Sequence, residues 1–405
     1  MRVFQLNTFC GIKSTGRITT SIAQLLERQG DACRIGFGAQ DAPPEARRFA
    51  YRVGTPLERK LHGAIRKFLD MEGYGSLLGT WRLLREMDRF RPDVIHLHNL
   101  HGCYLNLRML FRYLKKHGTP LVWTLHDCWP FTGHCAYFDF VGCQKWQTHC
   151  HACPQLRSYP TCLWWDGSRR NFRRKQRLFA NLPKLVLVPP CHWLEGLLGR
   201  SMLSEYPVRV IENGVDRSVF HPAPPQECQV LRQRHGLGDK QVVLAAAAEW
   251  DERKGLRYLL QAAGLLGEEF QVVVLGLGPE QIASLPKGIL GLAATGSTRE
   301  LAAWYTLAGC LANPTMEDNM PLVNLEALAC GTPVAVFQTG GCPEAVDDTC
   351  GRVVPQGDAQ ALAQAIRDLA SRKQAMTGAC LERAARFDSE AAYQKYLALY
   401  QEVCL

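Results

Sequence analysis

The 405-residue sequence lacks any long apolar run, and this absence excludes an ordinary membrane-spanning helix. No stretch reaches the 18 or more apolar residues that such a helix requires. The opening residues, Met1–Asn7, turn polar before the apolar segment of a signal peptide could form. These two absences predict a protein of the cytoplasm.

Cysteine is too sparse for a small secreted domain held together by disulfides. The 17 cysteines are an odd number, and their density lies well below that of disulfide-rich chains. Hydrophobic residues make up 47% and charged residues 21% of the chain, which excludes disordered and collagen-like proteins. We therefore expect a globular protein whose thiols are mostly reduced and buried.

Positive charge exceeds negative charge. The formal net charge of +9 suits an anionic partner, either a phosphorylated ligand or an acidic membrane surface. The run Arg169–Lys175 concentrates this charge. It is interpreted either as the solvated face of a helix or as a contact with anionic lipid through Arg170, Arg173 and Arg174.

Short β-rich runs alternate with amphipathic stretches of helix length along the whole chain. This alternation is typical of βαβ units on a parallel sheet and predicts an α/β fold. The length favours two domains, and the turn-rich stretch from Asn213 to Pro225 marks a linker. The predicted strands are Met1–Asn7, Ala32–Gly38, Asp93–His98, Leu121–His126, Leu185–Pro189, Val208–Glu212, Val242–Ala248, Phe270–Leu275, Gly309–Ala312, Pro333–Phe337 and Gly351–Val354.

An acidic turn followed by a helix is the most informative segment. The carboxylates of Glu317 and Asp318 precede a predicted helix from about Pro321 to Cys330. Glu326 lies on an otherwise apolar strip of that helix, where an unpaired charge is unfavourable. Such a carboxylate could accept two hydrogen bonds from a vicinal diol such as ribose. The alternative is an exposed Glu at the edge of the strip.

Two further loops follow predicted strands and could approach phosphate. Gly11 and Gly16 allow the backbone close to a ligand at a helix N-terminus, although a plain connecting turn has the same composition. Arg253 and Lys254 follow another strand and could reach a phosphate at its carboxyl end. The alternative there is ordinary surface charge.

Together these motifs resemble glycosyltransferase family 4, within it the exopolysaccharide enzymes of the colanic-acid type. The family signature is an acidic residue, seven residues, a Glu and then Gly-x-Pro-Val, and it corresponds to Asp318, Glu326 and Gly331–Val334. The resemblance covers nearly the whole chain. It implies the retaining GT-B fold, in which two Rossmann-like domains face each other across a cleft.

The resemblance also implies domain boundaries. An N-terminal, acceptor-side domain would comprise residues 1–215 and carry a Cys-rich insertion near residues 128–162. A C-terminal domain of residues 216–385 would bind the nucleotide sugar. A final helix over residues 386–405 would pack back toward the N-terminal domain.

Roles for individual residues follow from the same resemblance. Glu326 would hold the ribose of the nucleotide, and Asp318 would face the transferred sugar. Lys254 would bind the donor diphosphate, with Arg253 as a substitute for the arginine that the family has where Glu249 stands here. Catalytic roles are implied for His126, Lys254 and Asp318. The implied donor-binding set is Gly11, Gly16, Arg253, Lys254, Glu317, Asp318, Asn319, Met320, Pro321, Leu322, Glu326, Gly340 and Gly341.

The implied enzyme is a hexosyltransferase that acts with retention of configuration and needs no cofactor for catalysis. It would use a nucleotide-sugar donor and a saccharide or polyprenyl-diphosphate-linked saccharide acceptor, in exopolysaccharide or other surface polysaccharide synthesis. We expect peripheral contact with anionic lipid at the inner face of the plasma membrane. We expect no nucleic acid partner. The alternatives are a nucleotide-sugar 2-epimerase of the same fold and a zinc-stabilised nucleic-acid-binding protein.

A cluster of four cysteines and a histidine-rich strand end raise the question of metal. Cys150 and Cys153 form a CxxC pair, and Cys135 and Cys143 could complete a tetrahedral zinc site. Scattered reduced thiols and disulfides are the alternatives, and we take structural zinc as the hypothesis to test. The histidines from His96 to His101 are interpreted as structural in preference to metal-binding.

Overall fold

The computed structural model describes residues 1–405 and divides into two compact units. The first unit consists of Met1–Ile211 together with Tyr393–Leu405, and the second of Glu212–Ala392. Each unit contains one parallel six-stranded sheet. Among the helices, none has both the length and the apolar character that crossing a bilayer requires. The predicted α/β fold class is confirmed.

Twelve strands form the two sheets. The first sheet consists of β1 (Arg2–Asn7), β2 (Ala32–Phe37), β3 (Ala50–Arg52), β4 (Val94–Leu97), β5 (Leu121–Thr124) and β6 (Leu185–Val188). The second consists of β7 (Gln241–Ala246), β8 (Phe270–Leu275), β9 (Ile289–Leu292), β10 (Cys310–Asn313), β11 (Val334–Phe337) and β12 (Gly351–Val354).

Thirteen α-helices connect and cover these strands. They are α1 (Lys13–Arg28), α2 (Pro56–Leu69), α3 (Leu77–Phe90), α4 (Leu107–His117), α5 (Ser168–Phe179), α6 (His192–Leu198), α7 (Pro225–Arg234), α8 (Leu256–Ala263), α9 (Pro279–Ala283), α10 (Thr298–Leu307), α11 (Leu322–Ala329), α12 (Ala359–Ala385) and α13 (Ser389–Cys404).

The two sheets share one strand order. It is β3-β2-β1-β4-β5-β6 in the first unit and β9-β8-β7-β10-β11-β12 in the second. In both, the order reverses beside the first strand of the sheet, between β1 and β4 and between β7 and β10. The carboxyl ends of the strands at such a reversal are the usual ligand position of open α/β sheets. The fold therefore points to one candidate position in each unit.

The last helix completes the core of the first unit. Leu397, Tyr396 and Tyr400 of α13 pack with Val3 and Val94 of the sheet in one buried cluster. The Tyr400 hydroxyl lies 2.6 Å from Nδ1 of His96, the strand residue at the centre of this face. Burial of these large side chains by α13 thus stabilises the face of the sheet on which α1 also packs.

One predicted strand is wrong, and two observed strands were not predicted. Val208–Glu212 is not a strand: it forms an isolated bridge with Leu187 of β6 and no ladder. The short strands β3 and β9 were not predicted. Both are edge strands, and β9 is only half-buried. β3 has only three residues and β9 is interrupted by Gly291, so neither contains the run of β-branched residues that marks the central strands.

Candidate functional site

The loops after β7 and β10 carry the charged residues of the second unit. β7 leads to a single turn, Glu252–Lys254, which Asp251 caps by accepting the Lys254 amide at 3.0 Å. The Arg253 carbonyl accepts the amide of Met316, in the loop after β10, at 2.7 Å. These contacts hold the two loops together at the carboxyl ends of neighbouring strands.

Asp318 is the centre of this charged cluster. Lys254 Nζ donates to Asp318 Oδ2 at 2.5 Å, and Arg253 Nη1 lies 3.7 Å from the same oxygen. Arg253 Nη1 also donates to the carbonyl of Glu317 at 2.7 Å. The structure thus brings together four residues of the implied donor set.

Two opposing effects set the ionisation of Asp318. Burial raises the pKa of this carboxyl, but the charges of Lys254 and Arg253 and the hydrogen bond from Lys254 outweigh it. The net pKa lies below the ordinary value. Asp318 is therefore ionised at neutral pH, and it fixes the Lys254 ammonium at the point where the strand order reverses.

Glu326 lies on α11 and is buried. Its Oε2 accepts the hydroxyl of Tyr305 at 2.8 Å. Tyr305 belongs to α10 and is itself fully buried. Of the two interpretations offered for Glu326, the exposed one is wrong, because the side chain is held inside the unit by a hydroxyl donor.

The loop between Asp318 and α11 is held by hydrogen bonds and leads to the start of that helix. Asp318 Oδ1 accepts the Asn319 amide at 2.9 Å, and the Met320 carbonyl accepts Asn213 Nδ2 at 3.0 Å. Leu322 begins α11, and no side chain caps this helix after Pro321. The first amides of an uncapped helix favour an oxygen-rich or anionic ligand.

Gly340 and Gly341 pack directly against Asp318. Gly340 has φ +54°, and a Cβ there would lie 2.0 Å from the Asp318 carbonyl oxygen. The Gly341 amide donates to that oxygen at 3.0 Å. Because only glycine fits at position 340, this turn fixes the backbone of the acidic residue.

The glycines of the first unit have local packing roles. Gly11 has φ +75°, and a Cβ there would meet the Pro43 ring at 2.7 Å. The Gly11 amide donates to the Gly16 carbonyl at 3.0 Å. Both residues lie where β1 joins α1, at the strand reversal of the first sheet, and their contact with a ligand stays a prediction.

His126 lies at the end of a hydrogen-bonded chain of rings. Its Nε2 is 3.0 Å from His98 Nδ1, and His98 Nε2 is 3.1 Å from Gln5 Oε1. The Gln5 amide nitrogen donates to the Thr19 carbonyl, which leaves Oε1 as acceptor. His98 therefore donates from Nε2, and His126 donates to His98 from its own Nε2.

Burial keeps these imidazoles neutral. It lowers the pKa of His126 to about 4, despite the opposing charge of Asp127. Burial also holds the pKa of His98 well below the ordinary value. Beside them His101 Nε2 lies 2.8 Å from Asp127 Oδ2 and His101 Nδ1 2.6 Å from Tyr159 Oη. The strand ends of the first unit therefore carry two neutral rings, His98 and His126, beside the hydrogen-bonded His101.

Sequence reasoning missed three partners of the predicted residues. Tyr305, which holds Glu326, lies in a helix with no recognisable motif. His98 and Gln5, which orient His126, lie on β4 and β1 or directly after them. The alternation of His96 and His98 was the available signal, since it places both rings on one face of the strand.

The four cysteines lie in one region between β5 and α5. Cys135 and Cys150 are buried, while Cys143 and Cys153 are half-buried. The Cys135 thiol donates to the sulfur of Cys153, and this hydrogen bond is the main reason that the pKa of Cys153 falls to about 7. The Gly133 amide donates to Cys150 Sγ at 3.2 Å. Structural zinc at these thiols stays a prediction.

A second group of side chains that could bind a metal is occupied by hydrogen bonds within the protein. The ligand atoms of His62, Glu72 and Cys103 lie within 4.8 Å of one another. However, His62 Nε2 accepts the amides of Gly73 and Gly75 at 3.1 and 3.2 Å. Glu72 Oε1 accepts the Cys103 amide at 2.9 Å. These contacts identify a structural network that fixes the loop after α2.

The basic run on α5 is only partly a surface feature. Lys175 is buried, donates to the Trp129 carbonyl at 2.5 Å and lies 3.3 Å from the centroid of the Trp129 ring. Arg170 donates to the Leu69 carbonyl at 2.7 Å, and Arg174 lies over the Tyr74 ring. The interpretation of the run as one solvated face is therefore wrong. Its exposed cations are Arg169 and Arg173.

Comparison with known families agrees with this geometry. A model described as Glycosyltransferase Family 4 matches residues 15–219, and one described as Glycosyl transferases group 1 matches residues 239–372. The protein named colanic acid biosynthesis glycosyl transferase WcaC of Escherichia coli is 28% identical over 284 residues, 67% of this chain and 66% of that protein. The chain thus spans just under two thirds of this relative's length.

Solved structures match the chain over almost its full length. Sucrose-phosphate synthase from Thermosynechococcus elongatus aligns with a TM-score of 0.73 at 17% identity, covering 99% of this chain and 98% of that one. Anabaena HepE in complex with UDP-glucose aligns with a TM-score of 0.68 at 16% identity, covering 99% and 100%. With the two parallel sheets described above, these similarities confirm the predicted GT-B fold.

Proposed function

Because this chain belongs to glycosyltransferase family 4, we propose that it is a hexosyltransferase that moves a sugar from a nucleoside diphosphate to an acceptor hydroxyl. The observation that supports this most is the cluster of Lys254, Arg253 and Asp318 at the strand reversal of the second sheet. A departing diphosphate requires positive charge where its own negative charge accumulates. The cluster supplies that charge in a fixed place.

The remaining residues of the second unit would position the donor. Glu326, buried and oriented by Tyr305, would accept hydrogen bonds from the two ribose hydroxyls. Asp318 and the amides at the start of α11 would face the transferred sugar. The turn at Gly340 and Gly341 fixes the Asp318 backbone for this contact.

The proposed reaction retains the anomeric configuration. The bond between the anomeric carbon and the leaving phosphate oxygen breaks, and the acceptor oxygen bonds to the same face of that carbon. The acceptor proton passes to the departing phosphate, so no protein nucleophile is needed. Lys254 would stabilise the diphosphate as its charge develops.

The acceptor is proposed to be a saccharide, carried on a polyprenyl diphosphate, in the synthesis of a surface polysaccharide. The similarity to WcaC supports this assignment. A lipid-linked acceptor requires the enzyme to work at the inner face of the plasma membrane, in contact with anionic lipid. The net charge of +9 supports such a contact.

Donor binding by Glu326→Gln tests the proposal. Loss of the charged acceptor should weaken nucleotide-sugar affinity by about 1.5–3 kcal/mol, measured by calorimetry after a panel of nucleotide sugars has identified the donor by release of nucleoside diphosphate. The matched control is Glu382→Gln, an exposed residue of α12. Full affinity in a folded Glu326→Gln variant would overturn the assignment. Epimerised donor without saccharide product would identify a 2-epimerase instead.

A further inference from the structure

Helix α2 turns its large apolar side chains away from the protein. Leu57, Leu61 and Phe68 are 67%, 59% and 38% exposed, and their spacing places them on one side of the helix. The buried side chain of α2 is a polar one, His62, which hydrogen-bonds to Ser76 and the following loop. The usual orientation of an amphipathic helix in a globular protein is therefore reversed here.

Two tryptophans extend this apolar face. Trp164 and Trp165 are 78% and 61% exposed. The Trp164 ring packs on Phe68 with 4.9 Å between centroids, and the Leu163 amide donates to the Lys67 carbonyl at 2.8 Å. The loop and the helix thus form one surface, which we call the α2–Trp surface. It consists of Leu57, Leu61, Phe68, Leu69, Trp164 and Trp165.

Cations are placed beside this surface. Lys60 and Lys67 are exposed on α2, and Arg169 and Arg173 are exposed on α5. Arg170 connects the two helices, because its guanidinium donates to the Leu69 carbonyl. The neighbouring acids are turned inward, since Asp70 and Glu72 are buried and Glu58 accepts the Gly79 amide at 2.8 Å.

This combination has the chemistry of a membrane interface. Tryptophan is enriched at the level of the lipid headgroups. A helix with Leu, Phe and Trp on one side and Lys or Arg beside them lies in that plane, and its apolar residues enter the acyl boundary. Lysine and arginine near the surface are attracted to anionic headgroups.

We propose that the α2–Trp surface inserts into an anionic bilayer, with α2 parallel to the membrane plane. This inference rests on the membrane contact of the proposed function and names the residues that make it. It replaces the interpretation in which Arg170 and Arg174 touch lipid, because both engage the protein itself. The insertion places the first unit at the membrane.

The test uses the full chain and vesicles of phosphatidylcholine with or without phosphatidylglycerol. Co-sedimentation should require phosphatidylglycerol, and tryptophan emission should shift to shorter wavelength on binding. Trp164→Ser with Trp165→Ser should lower the partition coefficient at least about tenfold. Lys60→Gln with Lys67→Gln should lower it about fivefold for each cation removed.

Matched controls lie in the second unit. Val230→Ser with Leu265→Ser removes side chains that are 49% and 46% exposed, and Lys240→Gln with Lys287→Gln removes two exposed cations. Both control variants should bind vesicles like the wild type. All variants should keep the wild-type circular dichroism and thermal midpoint, since none of the changed side chains is buried.

Two results would overturn the inference. One is equal vesicle binding by the wild type and the double tryptophan variant. The other is a dimer in sedimentation velocity that the tryptophan variant abolishes while the wild type ignores vesicles, since the surface would then serve a second copy of the chain. Because none of these measurements involves sugar transfer, a failed Glu326→Gln test would leave their outcome unchanged.

Discussion

The two units have the same strand order but different chemistry at the point where that order reverses. In the first unit the strand ends carry neutral rings, with His126 donating to His98 and His98 to Gln5. In the second unit the same position carries an ion pair between Lys254 and Asp318. The sheet thus fixes where a ligand can lie, while the loop residues decide whether it meets hydrogen-bonding rings or charge.

Removal of metal should produce the largest difference between the two units, measured as a change in thermal midpoint. If Cys135, Cys143, Cys150 and Cys153 hold zinc, a chelator should lower the thermal midpoint of the first unit by about 10 °C. The midpoint of the second unit should not change. Elemental analysis of protein purified without chelator should find about one zinc per chain.

The control for the metal prediction is a cysteine of the second unit. Cys228→Ser should leave the zinc content unchanged, whereas Cys153→Ser should reduce it. Metal-free protein with its full thermal stability would show that the four thiols are ordinary packing residues.

Removing the positive charge of Lys254, at the strand reversal of the second sheet, should have the next largest effect, a loss of turnover. Lys254→Ala should lower turnover about 100-fold, or about 2.7 kcal/mol of transition-state stabilisation, since a fixed charge at the leaving group is lost. Turnover is measured as nucleoside diphosphate released at saturating donor. Lys287→Ala is the control, and equal turnover in the two variants would place the diphosphate elsewhere.

Acid should destabilise the first unit through its neutral rings. The pKa of His126 is about 4 in the folded chain, below the unfolded value near 6.5. Because the folded pKa is lowered, the neutral ring contributes its full stability at pH values above the unfolded pKa. That stability is lost as the pH falls from 6.5 toward 4. Between pH 7 and 4.5 the free energy of unfolding should fall by about 2–3 kcal/mol more in the wild type than in His126→Gln.

Urea titrations at the two pH values measure this difference. His221→Gln, which removes an exposed imidazole of the second unit, should change with pH like the wild type. If the stability of His126→Gln also changed with pH like that of the wild type, the surroundings of His126 would not hold its ring neutral.

The smallest expected effect concerns the second unit. Tyr305→Phe removes the hydroxyl that Glu326 accepts and should weaken donor binding by about 1.5 kcal/mol, or about tenfold. In the Glu326→Gln background the same change should have little further effect, because the two residues act as one unit. Additive losses in calorimetry would contradict this coupling.

The sequence predicted the features that local patterns specify. Central strands such as β7 and β11 contain continuous apolar runs, and the acidic turn with its helix indicated the region of Asp318 and Glu326. The partners that orient these residues were not predictable in this way. Tyr305 precedes Glu326 by 21 residues on another helix, and Tyr400 follows His96 by 304 residues. Such contacts arise from tertiary packing, which no local pattern encodes.

The return of α13 to the first unit has a consequence for synthesis on the ribosome. The strands of the first sheet are translated early, but the C-terminal segment that completes the cover of one face, residues 393–405, comes after the whole of Glu212–Ala392. At ordinary translation rates this interval lasts roughly 10–40 s. During that time the apolar face around Val3 and Val94 has α1 packed on it but lacks α13. The first unit to be translated is therefore the last to be completed, and its folding in the cell should depend on chaperones that bind apolar surface.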